Sequence, residues 1–572
     1  MNVIVAAKLY ITKMIDDAGP GMKVLLMDKD TTGIVSMVYA QSEILQKEVF
    51  LFERIDSQGR EVMKHLKAVI FVRPSKENTE SLKKELKFPK YGSYYLYFSN
   101  VLAKSYVKQL AECDDQEVVK EVQEFYADYY AVSPHLFSLN IVGSSKGKNW
   151  DADKQERTTD GIFALLLSLR KKPFIRYQQT SQMCKRLAES VMQKMLQEKG
   201  LFDFRQSDTP LLLIVDRTDD PVTPLLNQWT YQSMVHELLG IKNNRIDLST
   251  IPGIQKELKE VVLSAEHDDV YRDNMYLNFG EIAANIKRLM DEFQVNAKSN
   301  QKLESIADMK AFVENYPQFR KMSGTVSKHV TVVSELSRLV SDHCLLEVSE
   351  LEQDIACRSD HALHLQSIRK LLLNQKVRHI DATRLVLLYA LRYERTPNNE
   401  IKALRNDLQK RGVDDHLLKL VLNIIEYCGA TVRGSDIFRQ NKNALAMTKK
   451  FIKGLKGVEN IYTQHKPHIH DILDDLIKGK LSDKQYPYLN KDDIREKPQD
   501  IIIFIVGGCT YEESITVFET NRNNPGVRVL LGGSTVHNTE SFLTEVREST
   551  LLASTPSVSY STNSQTQLSG MT

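Results

Sequence analysis

Three carboxylates and a guanidinium crowd the stretch LLLIVDRTDDPVTP, as Asp216, Arg217, Asp219 and Asp220. Carboxylate oxygens at this density suit Mg²⁺ or phosphoryl chemistry. A phosphate site also needs a cradle, and the chain has no G-x-x-x-x-G-K-[ST] and no G-x-G-x-x-G after a strand. The D-R-T-D-D spacing lacks the D-x-D of aspartyl-phosphate enzymes as well. The alternative is a scaffold: Arg217 pairs with nearby carboxylates, Asp220-Pro221 turns the chain and Pro224 starts a helix. Asp216, Arg217, Asp220 and Pro224 are therefore assigned structural roles. Gly507-Gly508 and Gly532-Gly533 each sit between a strand and a helix, where backbone amides can hold an anion. No lysine follows either pair, so both are read as tight turns. His465, His468 and His470, with Asp471, invite zinc, but Pro467 interrupts the face and no cysteine joins them. No serine stands in G-x-S-x-G. Catalytic residues, metal ligands and cofactors are expected to be absent.

The elements that position these residues follow from periodicity. Leu211–Val215 is an unbroken apolar run, a strand buried on both faces. Thr223-Pro224 opens a helix carrying Leu226, Trp229, Met234 and Leu238, closed by Gly240. One strand makes no sheet. Its partners lie far downstream, at Asp500–Val506 and Val527–Leu531, with helices Glu512–Thr520 and Thr539–Arg547. Between Ile251 and Lys497 strand-like runs are nearly absent. Helices are expected at Glu281–Phe293, Leu303–Asn315, Val326–Cys344, Ser349–Cys357, Ala382–Tyr393, Leu417–Cys428 and Leu445–Leu455. Tyr316-Pro317 and Ser323-Gly324 read as breakers.

Residues 1–132 alternate short apolar runs (Lys23–Asp28, Ile34–Val38, Val49–Phe52, Ala68–Val72, Tyr94–Phe98) with helical stretches. Helices Lys104–Glu112 and Gln116–Tyr129 are expected side by side. The groove between them accepts a short peptide or is plain core packing. The fold class is α/β plus all-α: two small parallel-sheet domains, the second discontinuous, and a large helical insertion. Boundaries fall at 1–132, at 133–250 with 498–552, and at 251–497. A polar tail, 553–572, is expected to be mobile.

Composition narrows function. In 572 residues, 76 Lys+Arg meet 74 Asp+Glu, a formal charge of +2. That balance does not suit a protein built for phosphate backbones, so no nucleic-acid partner is expected. Six scattered cysteines without C-x-x-C spacing fit a reduced compartment. The longest apolar run, Ile501–Val506, is strand-sized, and Lys8 interrupts the apolar N-terminus. Membrane association is expected only through partners. Lys449–Lys456 reads as a solvated basic face.

VLLMDKDTTGIVSMVYAQSEIL, LLLIVDRTDDPVTPLLNQWTYQSMVHELL, NYPQFRKMSGTVSKHV, QYPYLN, IIIFIVGGCTYEE and VLLGGSTVHNT together resemble the SM (Sec-one/Munc-eighteen) family of syntaxin-binding proteins, over about residues 1–550. LFERIDSQGREVMKHLK, YFSNVLAKS and NMYLNFGEI resemble its vacuolar-sorting branch. The resemblance implies an arch-shaped, non-enzymatic monomer that binds a syntaxin sixteen-like SNARE and the assembled SNARE complex. It leaves open a helical adaptor as a further partner, and implies a place on endosome and trans-Golgi network membranes. For the syntaxin N-terminal peptide it implies a pocket of Val107, Leu110, Ala111, Val122, Phe125 and Tyr126. For the SNARE-facing cleft it implies Asp28, Gln41 and Glu53 on one wall. Tyr316, Pro317, Phe319 and Lys321 start a hairpin opposite, expected to bend or extend at Tyr316–Val326. Two other classes stay open on the residues alone: a Mg-dependent phosphohydrolase using Asp216 and Asp219, and an architectural subunit of a coat or tether.

Overall fold

The computed structural model describes residues 1–147, 149–205, 210–300, 306–434, 437–438, 462–489 and 497–551. The expected helix Leu445–Leu455, the basic stretch Lys449–Lys456 and the tail 553–572 lie outside them.

The first sheet is wholly parallel, in the order β2 (Val49–Arg54), β1 (Lys23–Met27), β3 (Met63–Val72), β4 (Tyr91–Phe98), β5 (Val119–Glu124). Helix α1 (Val3–Asp17), capped by Asn2, buries Val3, Ile4, Ala7, Ile11, Met14 and Ile15 on one face. Helices α4 (Lys76–Lys87) and α5 (Lys104–Ala111) cover the other with Leu82, Leu86 and Leu110. Every residue of β1 is buried, as expected of a central parallel strand.

Two expectations here are corrected. Ile34–Val38 is not a strand but the end of helix α2 (Lys29–Val38). Asp28 and Thr31 form a reciprocal capping box at its start, which outweighs the β-branched content of the run. Gln116–Tyr129 is not a helix: it holds the edge strand β5. The Asp114 carboxylate accepts from the Val118 and Val119 amides and launches the chain in extended form. Val118, Val122 and Phe125 fit a helical stripe on paper, yet V-K-E-V-Q-E pairs along β4 with a bulge near Tyr94.

The second sheet joins distant segments as expected. Leu211–Asp216 pairs in parallel with Phe174–Tyr177 on one side and Asp500–Val506 on the other. Arg528–Gly533 and Leu136–Ser138 follow in parallel, and Tyr130–Ser133 closes the edge as an antiparallel hairpin strand. Gly532 is an in-strand glycine rather than a turn, because an added Cβ would sit 2.0 Å from the Phe137 ring.

The intervening region is mainly helical, with a short antiparallel pair, Arg245–Asp247 and Glu260–Val262, where no strand was expected. Thr223–Leu225 makes only a 3-10 turn, and the helix proper is Tyr231–Leu238. Between them Leu226 is extended, while the Asn227 amide and Trp229 indole donate to Glu352 and Ser349. These tertiary bonds replace the helix that local periodicity favours. Ile306–Asp342 runs as one helix through Pro317 and Gly324, so neither is a break. Proline there forfeits a single amide bond, a cost of about 3 kcal/mol that a helix this long absorbs.

Two buried charge clusters bind the layers together. Asp128, fully buried, receives Arg73 from the end of β3, Asn100 from beyond β4, and Arg157 from helix Ala152–Ser168. Arg384, also fully buried, reaches Glu237, Asp381, Glu352 and the Thr539 hydroxyl at 2.9–3.0 Å. With Arg378 on Asp381, two cations face three carboxylates. Burial pushes Glu352 up to about 7 against the pull of Arg384. Its folded pKa lies above its unfolded value, so folding is favoured while the carboxyl is protonated. That advantage falls away as pH rises from about 4.5 through 7. Glu352→Gln is expected to remove a few kcal/mol of this dependence, about 1.4 kcal/mol per pKa unit. Unfolding midpoints across pH 5–8 (about the titration window) should therefore be flatter in the variant; parallel profiles would refute the assignment.

Candidate functional site: partner-binding surfaces

The charged stretch at the carboxyl end of Leu211–Asp216 is built as a brace. The Arg217 guanidinium is buried, with Nη1 2.8 and 2.9 Å from the two Glu513 oxygens and Nη2 3.5 Å from Asp220. Asp220 accepts from the Thr223 amide and hydroxyl and from the His468 amide. Burial works against the Asp220 charge, but Arg217 and these donors hold its pKa well below the usual carboxylate range. Asp219 accepts from the Gly434 amide, and burial raises its pKa. Asp216 is taken up by Ser181 and Thr218. Pro224 is buried, and its carbonyl accepts from Thr539.

Gly507 and Gly508 turn the chain beside this brace at φ +83° and +95°. A Cβ on Gly508 would meet the His537 ring at 2.4 Å. Their amides already donate to Ser534 Oγ and the Ile505 carbonyl, so none points at a vacant anion position. The histidines separate: His465 Nε2 lies 3.1 Å from the Thr223 hydroxyl, whereas His470 is exposed beside Asp471. Burial lowers the His465 pKa. Among the described residues no three His, Cys, Asp or Glu side chains gather as a metal site.

The peptide-pocket residues divide between the two faces of the first sheet. Val122 shares its register with Leu96, on the face covered by α5, and is 44% exposed. Val107, on α5, is 42% exposed. Ala111 is exposed near it in the same helix, while Leu110 is buried under α5. Phe125 lies on the opposite side, buried between Tyr10 and Tyr97. Tyr126 contacts Tyr10 edge-on and donates to Glu124. Reading the segment as a strand moves Phe125 and Tyr126 out of the groove.

The expected cleft wall divides as well. Asp28 is buried, its oxygens accepting from Thr31, the Arg73 amide and Asn78. It holds β1, β3 and α4 together and has no capacity left for a partner. Glu53 pairs with Leu26 on the α4 and α5 face and accepts from Tyr91, whose pKa burial raises to about 12. Gln41 is exposed at the start of α3 (Gln41–Leu45), a helix packed on the α1 face. Its neighbour Glu43 bridges Lys8 of α1 and His267, beyond Glu260–Val262, at 3.1 and 3.5 Å. That bridge joins the first sheet's layer to the helical region and had no local signal in the sequence. Tyr316, Pro317, Phe319 and Lys321 fall on the Ile306–Asp342 helix, and their side chains lie outside those described.

Removing the guanidinium would leave Glu513 and Asp220 buried without a counter-charge. Arg217→Met is therefore expected to cost about 3–5 kcal/mol, read by denaturant unfolding at neutral pH. An unfolding curve like the parent's would show that the pair braces nothing.

Known proteins place this geometry. The Sec1 family pattern matches residues 23–545. Vacuolar protein sorting-associated protein 45 of Rattus norvegicus and of Homo sapiens are each 65% identical over 553 residues, 96% of this chain and 97% of each relative. The solved structure of the SM protein Vps45 in complex with the Qa SNARE Tlg2 superposes with a TM-score of 0.89 at 47% identity, over 96% of this chain and 98% of that one. With the matched span reaching from β1 to the Thr539–Thr550 helix, the chain belongs to the Sec1 family.

Proposed function

We propose that this chain is a non-enzymatic SM-type regulator of vesicle fusion, one that binds a syntaxin-type SNARE and templates SNARE assembly in endosome and trans-Golgi traffic. The supporting observation is the 47%-identical relative solved with a Qa SNARE, which covers nearly the whole of this chain. The charged stretch at Asp216–Asp220 adds to it: its carboxylates are occupied by internal donors rather than turned toward a substrate. No helix among the described residues is long and apolar enough to cross a membrane.

A SNARE motif is weakly ordered alone, and ordering its backbone costs roughly 1–2 kcal/mol per residue. A stiff surface that holds one helix in register lowers the cost of nucleating the bundle. A peptide clip on the same molecule raises the local concentration of that helix to about the millimolar range. Val107 and Val122, apolar and open on the α5 face, are the residues assigned to that clip. Gln41, on the α1 face, is the cleft residue left open to a partner. The long helix Ile306–Asp342, which runs straight through the segment expected to start a hairpin, is given the role of admitting a second SNARE, with Pro317 as the position at which it bends.

Val107→Arg and Val122→Arg should each weaken binding of a syntaxin N-terminal peptide at least about tenfold, since placing a charge on an apolar contact costs more than 1.4 kcal/mol. Both sites are exposed, so the thermal midpoint should not move. Phe125→Ala should instead destabilise the fold by about 3–5 kcal/mol. Peptide titration calorimetry with thermal unfolding separates the two behaviours. Undiminished peptide affinity in both arginine variants would sink the pocket assignment.

A further inference from the structure

One exposed feature of the first sheet belongs to neither surface above. Phe88, at the end of α4, is 80% exposed, and Val62, just before β3, is 66% exposed. The two segments lie side by side: the Met63 amide donates to the Lys90 carbonyl at 2.8 Å, and Lys64 Nζ to the Pro89 carbonyl at 2.7 Å. Pro89 is buried, so the loop that presents Phe88 is anchored on both sides of it.

Position in the fold makes this edge free. The carboxyl ends of β3 and β4 run into Arg73 and Asn100, both tied to Asp128 at the junction with the second sheet. The amino ends of the same parallel strands, with Val62 and Phe88, therefore point away from the rest of the molecule.

Charge complements the apolar tip. Lys64, Lys84, Lys87 and Lys90 surround it, and none of them makes an ion pair among the described residues. The acids beside it are Glu61, which is exposed, Glu85, which is buried against Arg60, Glu80, which lies one turn before Lys84 and is paired with Lys83, and Glu53, which accepts from Tyr91, so the cations outnumber the open carboxylates only at the tip itself. Cations in the last turn of α4 suit the helix dipole, which accounts for Lys84 and Lys87. It does not account for a phenylalanine left in water beside them.

From this juxtaposition we infer that the amino-terminal edge of the first sheet is a docking site for an anionic bilayer: Phe88 and Val62 enter the headgroup layer while the four lysines meet lipid phosphates and carboxylates. An aromatic tip ringed by lysines combines the two terms that hold peripheral proteins on membranes. Each lysine at an anionic leaflet contributes roughly fivefold to partitioning, so the contact is weak, reversible and sensitive to salt. It would orient the molecule on a membrane without needing the SNARE-binding surfaces.

Co-sedimentation of the full chain with phosphatidylcholine vesicles, with and without phosphatidylserine, tests this. Binding should require phosphatidylserine and fall as salt rises. It should drop more than about tenfold in the double variant Lys84→Glu, Lys87→Glu, two lysines at roughly fivefold each, and also drop in Phe88→Ser. All these side chains are exposed, so the thermal midpoint should stay unchanged. Val107→Arg should bind vesicles as the parent does, which separates this site from the peptide clip. Equal binding to both vesicle types, or undiminished binding in the charge-reversed variant, would overturn the inference. So would a loss confined to SNARE binding in these variants, because the patch would then serve a protein.

Discussion

The structure depends on how buried charge is neutralised where the second sheet meets the helical region. Arg217 leaves the end of a strand with no solvent access, and Glu513 from a segment almost 300 positions later closes on it. Neither can stay ionised in that environment alone, because an unpaired buried charge costs several kcal/mol. The chain must therefore return after its long excursion and pair Asp500–Val506 with Leu211–Asp216. Asp220 extends the requirement to His468 and Thr223, and so ties the helical region to the same point. Arg384 repeats the device farther along, holding Glu237, Glu352 and Asp381 from separate helices.

A doubly wound sheet ordinarily offers a crevice at its switch point. Here that position, between β1 and β3, is filled. Asp28 spends its oxygens on Thr31, Arg73 and Asn78, and Arg73 goes on to Asp128 beneath the second sheet. The crevice that in other α/β proteins receives a nucleotide serves as an internal joint. What stays exposed is the edge strand β5 and the outer surface of the covering helices, as at Val122 and Val107.

Buried Arg and Glu pairs add little to net stability compared with apolar packing, but they are unforgiving of misalignment. For the proposed role of presenting two surfaces in fixed register, that intolerance is useful. The Glu43 bridge to Lys8 and His267 is of another kind: half-exposed, weaker, and set where the first sheet's layer meets the helical region.

Unbroken apolar runs such as LLLIV and IIIFIV declared themselves as buried parallel strands, and their separation in the sequence already implied a split sheet. The amphipathic α1 was legible for the same reason: burial on a regular period leaves a mark in composition. Short, half-exposed segments left no such mark. V-K-E-V-Q-E supports a helix or an edge strand equally well, and the Asp114 carboxylate together with pairing along β4 decided for the strand. That decision sent Phe125 to the core and left Val122 outside. Arg384, a cation at the head of the apolar run Leu385–Leu391 with Asp381 one turn before it, could have been noticed, though its distant partners Glu237 and Glu352 could not. Local sequence determined which residues must be hidden. Tertiary structure alone decided which face hides them, because that choice rests on hydrogen bonds and charge pairs between segments that are distant in the chain.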